Sequence, residues 1–216
     1  SYYLKRAARQ GIPVIVVDPR RTELVNFASI WIRPRLHADL ELINALAAIL
    51  HEKKSYDLAF IDTYTEGFNI FHYSLTSLDL DRISRITEIE KSELTEVAEQ
   101  LSGKKVAFVV GHGILQQKNA MHTLGAIFNL SLLTGSLNNP GGGIYVLARE
   151  NNQIGAMDMG TMPNLLPGRQ ALSDEEARQY WEKEWNVKLS PDPGLNMVRM
   201  IEAAEQGKLK ALYIMG

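Results

Sequence analysis

Blocks of apolar and polar residues alternate along the chain in a way that predicts strands followed by helices. The β-branched run at residues 13–17 predicts a parallel strand buried on both faces, residues 30–32 predict a short second strand, and residues 105–110 predict the strongest one. Strands that alternate with helices are typical of an α/β fold with a doubly wound, mostly parallel, Rossmann-like sheet. Apolar spacing and breaker residues predict helices over residues 3–10, 40–50, 56–71, 92–101, 120–133, 173–185 and 195–206.

Three local signals refine this prediction. Asp39 is expected to cap the helix that follows it, and Ser173 is expected to open a capping box. Residues 78–85 are polar and predict no regular element. Residues 211–215 predict a buried closing strand, and the abrupt ends of the chain lead us to expect an internal piece of a longer polypeptide.

Composition narrows the classes of function. The chain has 216 residues, 45% of them hydrophobic, with a formal net charge of -2, so it lacks the strong field that recruits nucleic acid or an anionic membrane surface. It contains no cysteine, which excludes disulfides, Cys-rich zinc sites and Cys-ligated iron–sulfur clusters within these residues. The apolar runs are too short for membrane insertion, and no signal peptide is visible, so a cytoplasmic location is favoured while the compartment stays open.

The tip of the first strand is one candidate binding element. Asp18 follows the strand and can accept hydrogen bonds from a ribose diol or a guanine edge, while Arg20 or Arg21 can hold a phosphate. The alternative is a structural aspartate that pairs with a neighbouring arginine.

The turn after the third strand is another candidate. Gly111-His112-Gly113 would let backbone N–H groups approach a ligand closely, and Gln116 could bond a heterocycle. The alternative is an ordinary turn, in which His112 is a loop histidine.

The glycine-rich stretch over residues 141–160 is the third candidate. It contains Arg149, Asn151 and Asn152, and it predicts either a functional loop or a flexible interdomain connection. The sequence shows no nucleophile motif, no phosphate-binding GxxxxGK[ST] loop and no clustered histidines that predict a metal site.

Taken in order, these segments resemble the molybdopterin oxidoreductases of the formate dehydrogenase type. Residues 16–23 resemble V-[VI]-D-P-R-R-T-E, and residues 35–46 resemble R-P-G-T-D-x-A-L-x-N-A-L with Asp39 on the acidic position. Residues 111–116 match G-x-G-x-x-Q, and residues 132–143 resemble L-L-T-G-N-[IL]-x-x-P-G-x-G. Residues 151–160 match N-N-x-Q-G-A-x-D-M-G, and residues 209–216 resemble I-K-A-L-Y-I-M-G. The resemblance covers nearly the whole chain.

The resemblance implies a bis(molybdopterin guanine dinucleotide) cofactor that holds Mo or W in the full-length enzyme. The elements at Asp18 with Arg20, at Asp39, and at Gly111-His112-Gly113 with Gln116 would lie along one nucleotide arm, with Asn151 and Asn152 as further contacts. Residues 1–150 would form most of a dinucleotide-binding-like cofactor domain, and residues 151–216 part of a neighbouring α/β domain. The metal ligand and an iron–sulfur cluster would lie upstream, so no metal ligand and no tightly bound cofactor are expected in this chain alone.

The family also implies a small-molecule substrate such as formate, and electron-transfer subunits with iron–sulfur clusters as partners. Two positions depart from its pattern. The family's R-G-Q-N-N has Ala148 at the arginine position and Arg149 one place later, which makes Arg149 the catalytic candidate, and His37 replaces the glycine before Asp39. We therefore keep two alternatives: a non-catalytic homologue that serves as a structural subunit of a respiratory NADH dehydrogenase-like complex, and an unrelated nucleotide-binding module.

Overall fold

A computed structural model describes residues 2–147 and 150–214. The chain divides into two compact units, Ser1–Leu147 and Ala148–Gly216. The assignment of the first unit to cofactor binding stays a prediction.

The first unit combines helices with two pairs of parallel strands, which confirms the predicted α/β class. β1 pairs with β2, and β3 pairs with β4, as two separate two-stranded sheets. Short 3-10 helices occupy Glu23–Phe27 and Ser136–Asn138. The elements in chain order are α1 (Tyr2–Arg9), β1 (Ile15–Val17), β2 (Ile30–Ile32), α2 (Asp39–Glu52), α3 (Leu58–Tyr64), α4 (Phe68–Thr76), α5 (Leu80–Thr87), α6 (Lys91–Leu101), β3 (Ala107–Val110), α7 (His112–Leu115), α8 (Ala120–Leu133) and β4 (Gly143–Val146).

The core of this unit forms around α2. This helix packs against α4, α5, α6 and α8 and is buried on almost every side in its second half, from Ala45 to Leu50. Removing those apolar side chains from water is the main stabilising term. The buried cluster consists of Ile32, Leu42, Ala45, Leu46, Ala47, Ala48, Ile49, Leu50, Ile61, Leu75, Ile83, Ile89, Leu94, Val97, Ala98, Leu101, Leu130 and Leu133.

The strands are less buried than their sequence suggests. In β1 only Val16 is buried, and Val17 is 40% exposed, so the prediction of burial on both faces is wrong for this strand. β4 was not predicted at all, although it pairs with β3 in register over four residues.

Helix prediction failed in two places. Residues 78–85 are not irregular, because Asp79 caps α5 by accepting a hydrogen bond from the backbone N–H of Arg82 at 3.0 Å, and the helix buries Ile83. The predicted helix over residues 56–71 divides into α3 and α4, because Gly67 adopts a left-handed φ of 76° at the start of α4.

Within residues 150–214, the second unit has three helices, an antiparallel strand pair and a 3-10 turn at Pro167–Arg169. Asp174, not Ser173, caps the longest described helix of this unit by accepting from two backbone N–H groups. The N3 residue is then Ala177, so the predicted capping box is not formed. The predicted closing strand is absent over residues 211–214, where Tyr213 and Ile214 are more than 80% exposed, since no described strand pairs with it. The elements are α9 (Gln153–Asp158), β5 (Leu165–Leu166), β6 (Gln170–Ala171), α10 (Glu175–Trp185) and α11 (Met197–Glu205).

Candidate functional site

Asp18 directly follows β1, and its own carboxylate stabilises a tight turn there. Its Oδ1 accepts from the backbone N–H of Arg20 at 2.8 Å and lies 3.5 Å from the Nε of the same arginine. The carbonyl of Asp18 accepts from the Trp31 indole at 2.9 Å, and its N–H donates to Ile32, which ties the turn to the end of β2. Asp18 therefore pairs with an arginine, as the structural alternative predicts. The Arg20 side chain is nevertheless 83% exposed, so its guanidinium stays accessible.

Asp39 stands in the first turn of α2, but it does not cap the helix. The N-cap is Ala38, and no side chain caps the helix there, so the predicted capping role is wrong. Instead, Asp39 Oδ2 accepts a hydrogen bond of 2.6 Å from Gln117 Nε2, across 78 positions of the sequence. Because the Asp39 carboxylate does not cap the helix, its remaining lone pairs can accept a hydrogen bond from another partner.

The loop before Asp39 contains one residue, His37, with an unusual backbone conformation. His37 has a φ of 68°, in the left-handed region that glycine adopts without strain. His37 stands where the family motif has glycine, and its backbone has a conformation that glycine would adopt without strain.

The turn after β3 begins at Gly111, which is the N-cap of α7. A Cβ built on Gly111 or on Gly113 would meet no atom of the described chain within 4 Å, and neither residue has a left-handed φ. Nothing within the described chain therefore explains why these two positions are glycine. An open backbone of this kind leaves room for a ligand.

Buried side-chain atoms without a hydrogen-bond partner mark the same region. In residues 2–147 and 150–214 these atoms are Glu41 Oε2, His112 Nδ1 and Gln117 Oε1. Each belongs to the first turn of α2 or to the segment that follows β3. Because a buried polar atom without a partner costs stability, these three atoms are candidates for a hydrogen bond to a ligand or to water.

The sequence analysis selected Gln116 and did not select its neighbour Gln117. The predicted Gln116 is exposed at the C-terminus of α7, whereas the next residue, Gln117, is partly buried and bonds Asp39. Glu41 was missed as well. Two adjacent glutamines, Gln116 and Gln117, are a sequence signal for such a contact. Which of the two side chains faces α2 depends on the conformation of the turn after β3.

The structure places the Asp18 turn and the Gly111 turn at the carboxyl ends of strands in two separate parallel pairs of the first unit. The Asp18 turn is bonded to the end of β2, and the start of α2 is bonded to the segment after β3. In α/β folds, ligands bind at this edge of the strands.

The remaining candidates belong to the second unit or to undescribed residues. Asn151 and Asn152 are exposed, and Asn152 precedes α9 with a left-handed φ of 55°. A Cβ on Gly155 would lie 2.3 Å from Asn152 Oδ1, so that glycine makes room for the asparagine side chain. Arg149, the catalytic candidate, lies outside the described residues.

A polar cleft of about 430 Å³ lies at the opposite ends of the strands. Lys104 and Lys105 line it just before β3, together with Thr134 and Asn139. Its location separates it from the candidate site. Within the described residues, no helix is long and apolar enough to cross a membrane, and no group of three His, Asp or Glu side chains could hold a metal ion.

The chain resembles several known proteins in sequence or in fold. It is 35% identical over 215 residues to "Putative formate dehydrogenase YrhE" of Bacillus subtilis (strain 168), which covers 99% of this chain and 22% of that protein. It is 31% identical over 212 residues to formate dehydrogenase H of Escherichia coli (strain K12), which covers 97% of this chain and 30% of that protein. Among solved structures, acetylene hydratase from Pelobacter acetylenicus matches with a TM-score of 0.58 at 26% identity, over 61% of this chain and 18% of that one.

The chain thus spans less than a third of the length of these relatives. A family model described as molybdopterin oxidoreductase matches residues 1–216. Because that match covers the whole chain, this protein belongs to the molybdopterin oxidoreductase family.

Proposed function

We propose that this chain supplies part of the cradle for one guanine dinucleotide arm of a bis(molybdopterin guanine dinucleotide) cofactor. The full-length protein would be an oxidoreductase similar to formate dehydrogenase. The observation that carries the proposal is a set of unpartnered buried atoms on Glu41, in the first turn of α2, and on His112 and Gln117, in the segment after β3. The bond between Asp39 and Gln117 joins these two elements.

The residues of the candidate site fit the chemistry of such an arm. Asp18 and Asp39 provide carboxylate acceptors for a ribose diol or a guanine edge, and the exposed Arg20 provides a guanidinium for a phosphate. The open backbone at Gly111 and Gly113 leaves space for a bulky partner. We also propose Asn151 and Asn152 as cofactor-binding residues.

When bound, the cofactor supplies a Mo or W centre that exchanges two electrons with a small substrate. The chain's own residues would bind and orient the nucleotide arm, while Arg149 would hold the substrate near the metal. The chain has no cysteine, so the iron–sulfur cluster and any cysteine ligand to the metal would be provided by other segments of the full-length protein or by its partner subunits.

One other function is favoured by a feature of the sequence. Ala148 at the family's arginine position favours a non-catalytic homologue that serves as a structural subunit of a respiratory complex. The name of one structural neighbour, acetylene hydratase, shows that likeness in fold does not by itself choose the reaction.

The deciding experiment is analysis of the purified full-length protein for Mo, W and nucleotides released by acid hydrolysis, followed by a dye-reduction assay with formate. We expect one of the two metals, with about two guanine nucleotides per metal ion. Absence of both metals and of guanine would reject the proposal. Metal and guanine without formate oxidation would keep the cradle and reject formate as the substrate.

A further inference from the structure

The bond between Gln117 and Asp39 joins the start of α2 to the turn between α7 and α8. Asp39 does not cap α2, and its Oδ2 accepts instead from a side chain 78 positions away in the sequence. A hydrogen bond to an ionised carboxylate is shorter and stronger than one between neutral groups, and the 2.6 Å distance agrees with that. The contact fixes the direction in which the carboxylate of Asp39 faces.

The backbone of Gln117 is itself held in place. Its N–H donates to the carbonyl of Ile114 at 3.2 Å, and its carbonyl accepts from the N–H of Ala120 at 3.1 Å, in the turn between α7 and α8. Because an ionised carboxylate only accepts hydrogen bonds, the amide nitrogen of Gln117 must face Asp39. The amide oxygen therefore faces away from that bond.

That oxygen, Gln117 Oε1, is buried and has no hydrogen-bond partner in the described parts of the chain. Asp39 Oδ1 is also outside the bond to Gln117. A guanine base presents N–H donors on its Watson–Crick edge, namely the ring N1–H and the exocyclic amino group. Such a partner would satisfy both oxygens.

We propose that Gln117 is a positioning residue that orients Asp39 toward the guanine base and offers its own Oε1 as a second acceptor. This inference rests on the proposed function. It concerns a residue that the family motif does not mark, since the motif's glutamine falls on the exposed Gln116.

The first test is the binding of GDP and of inosine diphosphate, which lacks the exocyclic amino group, to cofactor-free full-length protein by calorimetry. Gln117→Leu removes the amide at similar volume, and we expect GDP to bind about 10- to 100-fold more weakly, with loss of the preference for GDP over inosine diphosphate. The matched control is Gln100→Leu, at an exposed position on α6, which should bind GDP like the wild type.

The second test exchanges the carboxylate of Asp39 and the amide of Gln117. In the double variant Asp39→Asn with Gln117→Glu, the asparagine amide can donate to the new carboxylate, so the contact between α2 and the turn is rebuilt with its polarity reversed. We expect the thermal stability lost in either single variant to return in the double variant. GDP binding should return in part, because one oxygen at each of the two positions still accepts a hydrogen bond.

The outcomes separate this inference from the function on which it rests. If the wild-type protein binds no GDP and retains no guanine nucleotide, both fall. If it binds GDP, and Gln117→Leu binds it equally well, only the inference is overturned. Recovery of thermal stability in the double variant without any recovery of GDP binding would also overturn it, since the contact would then act only in holding the fold together.

Discussion

Glycines serve different purposes in two regions of the first unit. At the entrance to β4, Gly141 and Gly143 have left-handed φ values of 83° and 108°, and a Cβ on Gly142 would lie 2.3 Å from the carbonyl oxygen of Ser136. After β3, by contrast, Gly111 and Gly113 have ordinary φ values and open space around them.

The difference separates what the fold requires from what it leaves unexplained. The β4 glycines are required by contacts and conformations within the chain. The β3 glycines are not, and they lie beside the unpartnered atoms of His112 and Gln117. Our account is that the first set maintains the fold and the second set makes room for a ligand.

The largest effect on stability should come from Gly142→Ala. Its methyl group would collide with backbone that cannot move aside easily, so we expect the free energy of unfolding to fall by about 3 kcal/mol. Urea denaturation of the wild type and the variant measures this. Gly111→Ala is the matched comparison, and an equal loss of stability there would remove the distinction between the two regions.

Gly113→Ala should have the opposite profile. Because Gly113 lies in α7 with free space around it, alanine should leave stability unchanged or raise it by about 0.5–1 kcal/mol. The guanine nucleotide retained by the full-length protein should nevertheless fall about tenfold. Nucleotide analysis after acid hydrolysis provides the measurement.

A control for this variant exists on α8. Gly125 is also helical and exposed, with no atom within 4 Å of a built Cβ. Gly125→Ala should give the same gain in stability with no loss of nucleotide. Unchanged nucleotide content in Gly113→Ala would show that the space beside β3 is not used by the cofactor.

His37 is a third kind of position, because its backbone has the left-handed φ that favours glycine although the residue is a histidine. His37→Gly should raise the free energy of unfolding by about 0.5–1 kcal/mol, because relief of the left-handed strain exceeds the added entropy of the unfolded chain. The control is His122→Gly on the exposed side of α8, which should lower stability. A loss of stability at both positions would contradict the strain argument.

The smallest effect should be a pH dependence in the helical part of the unit. His51 Nε2 and His72 Nδ1 lie 2.6 Å apart between α2 and α4. Burial, and then the neighbouring His72, hold the pKa of His51 below its ordinary value of 6.5. The unfolded chain therefore takes up a proton first, so the stability from this pair is full above pH 6.5 and is lost as the pH falls through the lower folded pKa.

Denaturation curves between pH 7.5 and pH 5, a range of about one unit or more on each side of the ordinary histidine pKa, test this. His51→Gln should flatten the dependence, and His122→Gln should leave it as in the wild type. A dependence that survives in His51→Gln would assign it to other groups.

The sequence predicted elements with a strong local pattern and missed those that depend on distant partners. The bounds of β2 and α8 were predicted correctly, because a β-branched and aromatic run and a long apolar stretch identify them. β4 was missed, since its partner β3 lies 36 positions earlier in the register and glycines precede it. α5 was missed because its charged residues obscured the apolar spacing around Ile83.

The candidate site divides in the same way. The positions of Asp18, Asp39 and Gly111 beside strand ends could be read from the chain, because carboxyl ends of parallel strands are where ligands are held. The contact between Asp39 and Gln117 could not, since it spans 78 positions. The assignment of roles to these residues stays a prediction.

The most direct test of the central claim is the position of the guanine bases in an experimental structure of the full-length protein with its cofactor bound. We predict one base within hydrogen-bond distance of Asp39 and Gln117, with its diphosphate beside the Gly111–Gly113 turn. Bases bound only at other surfaces, with Asp39 and Gln117 bonded solely to each other and to water, would contradict the account.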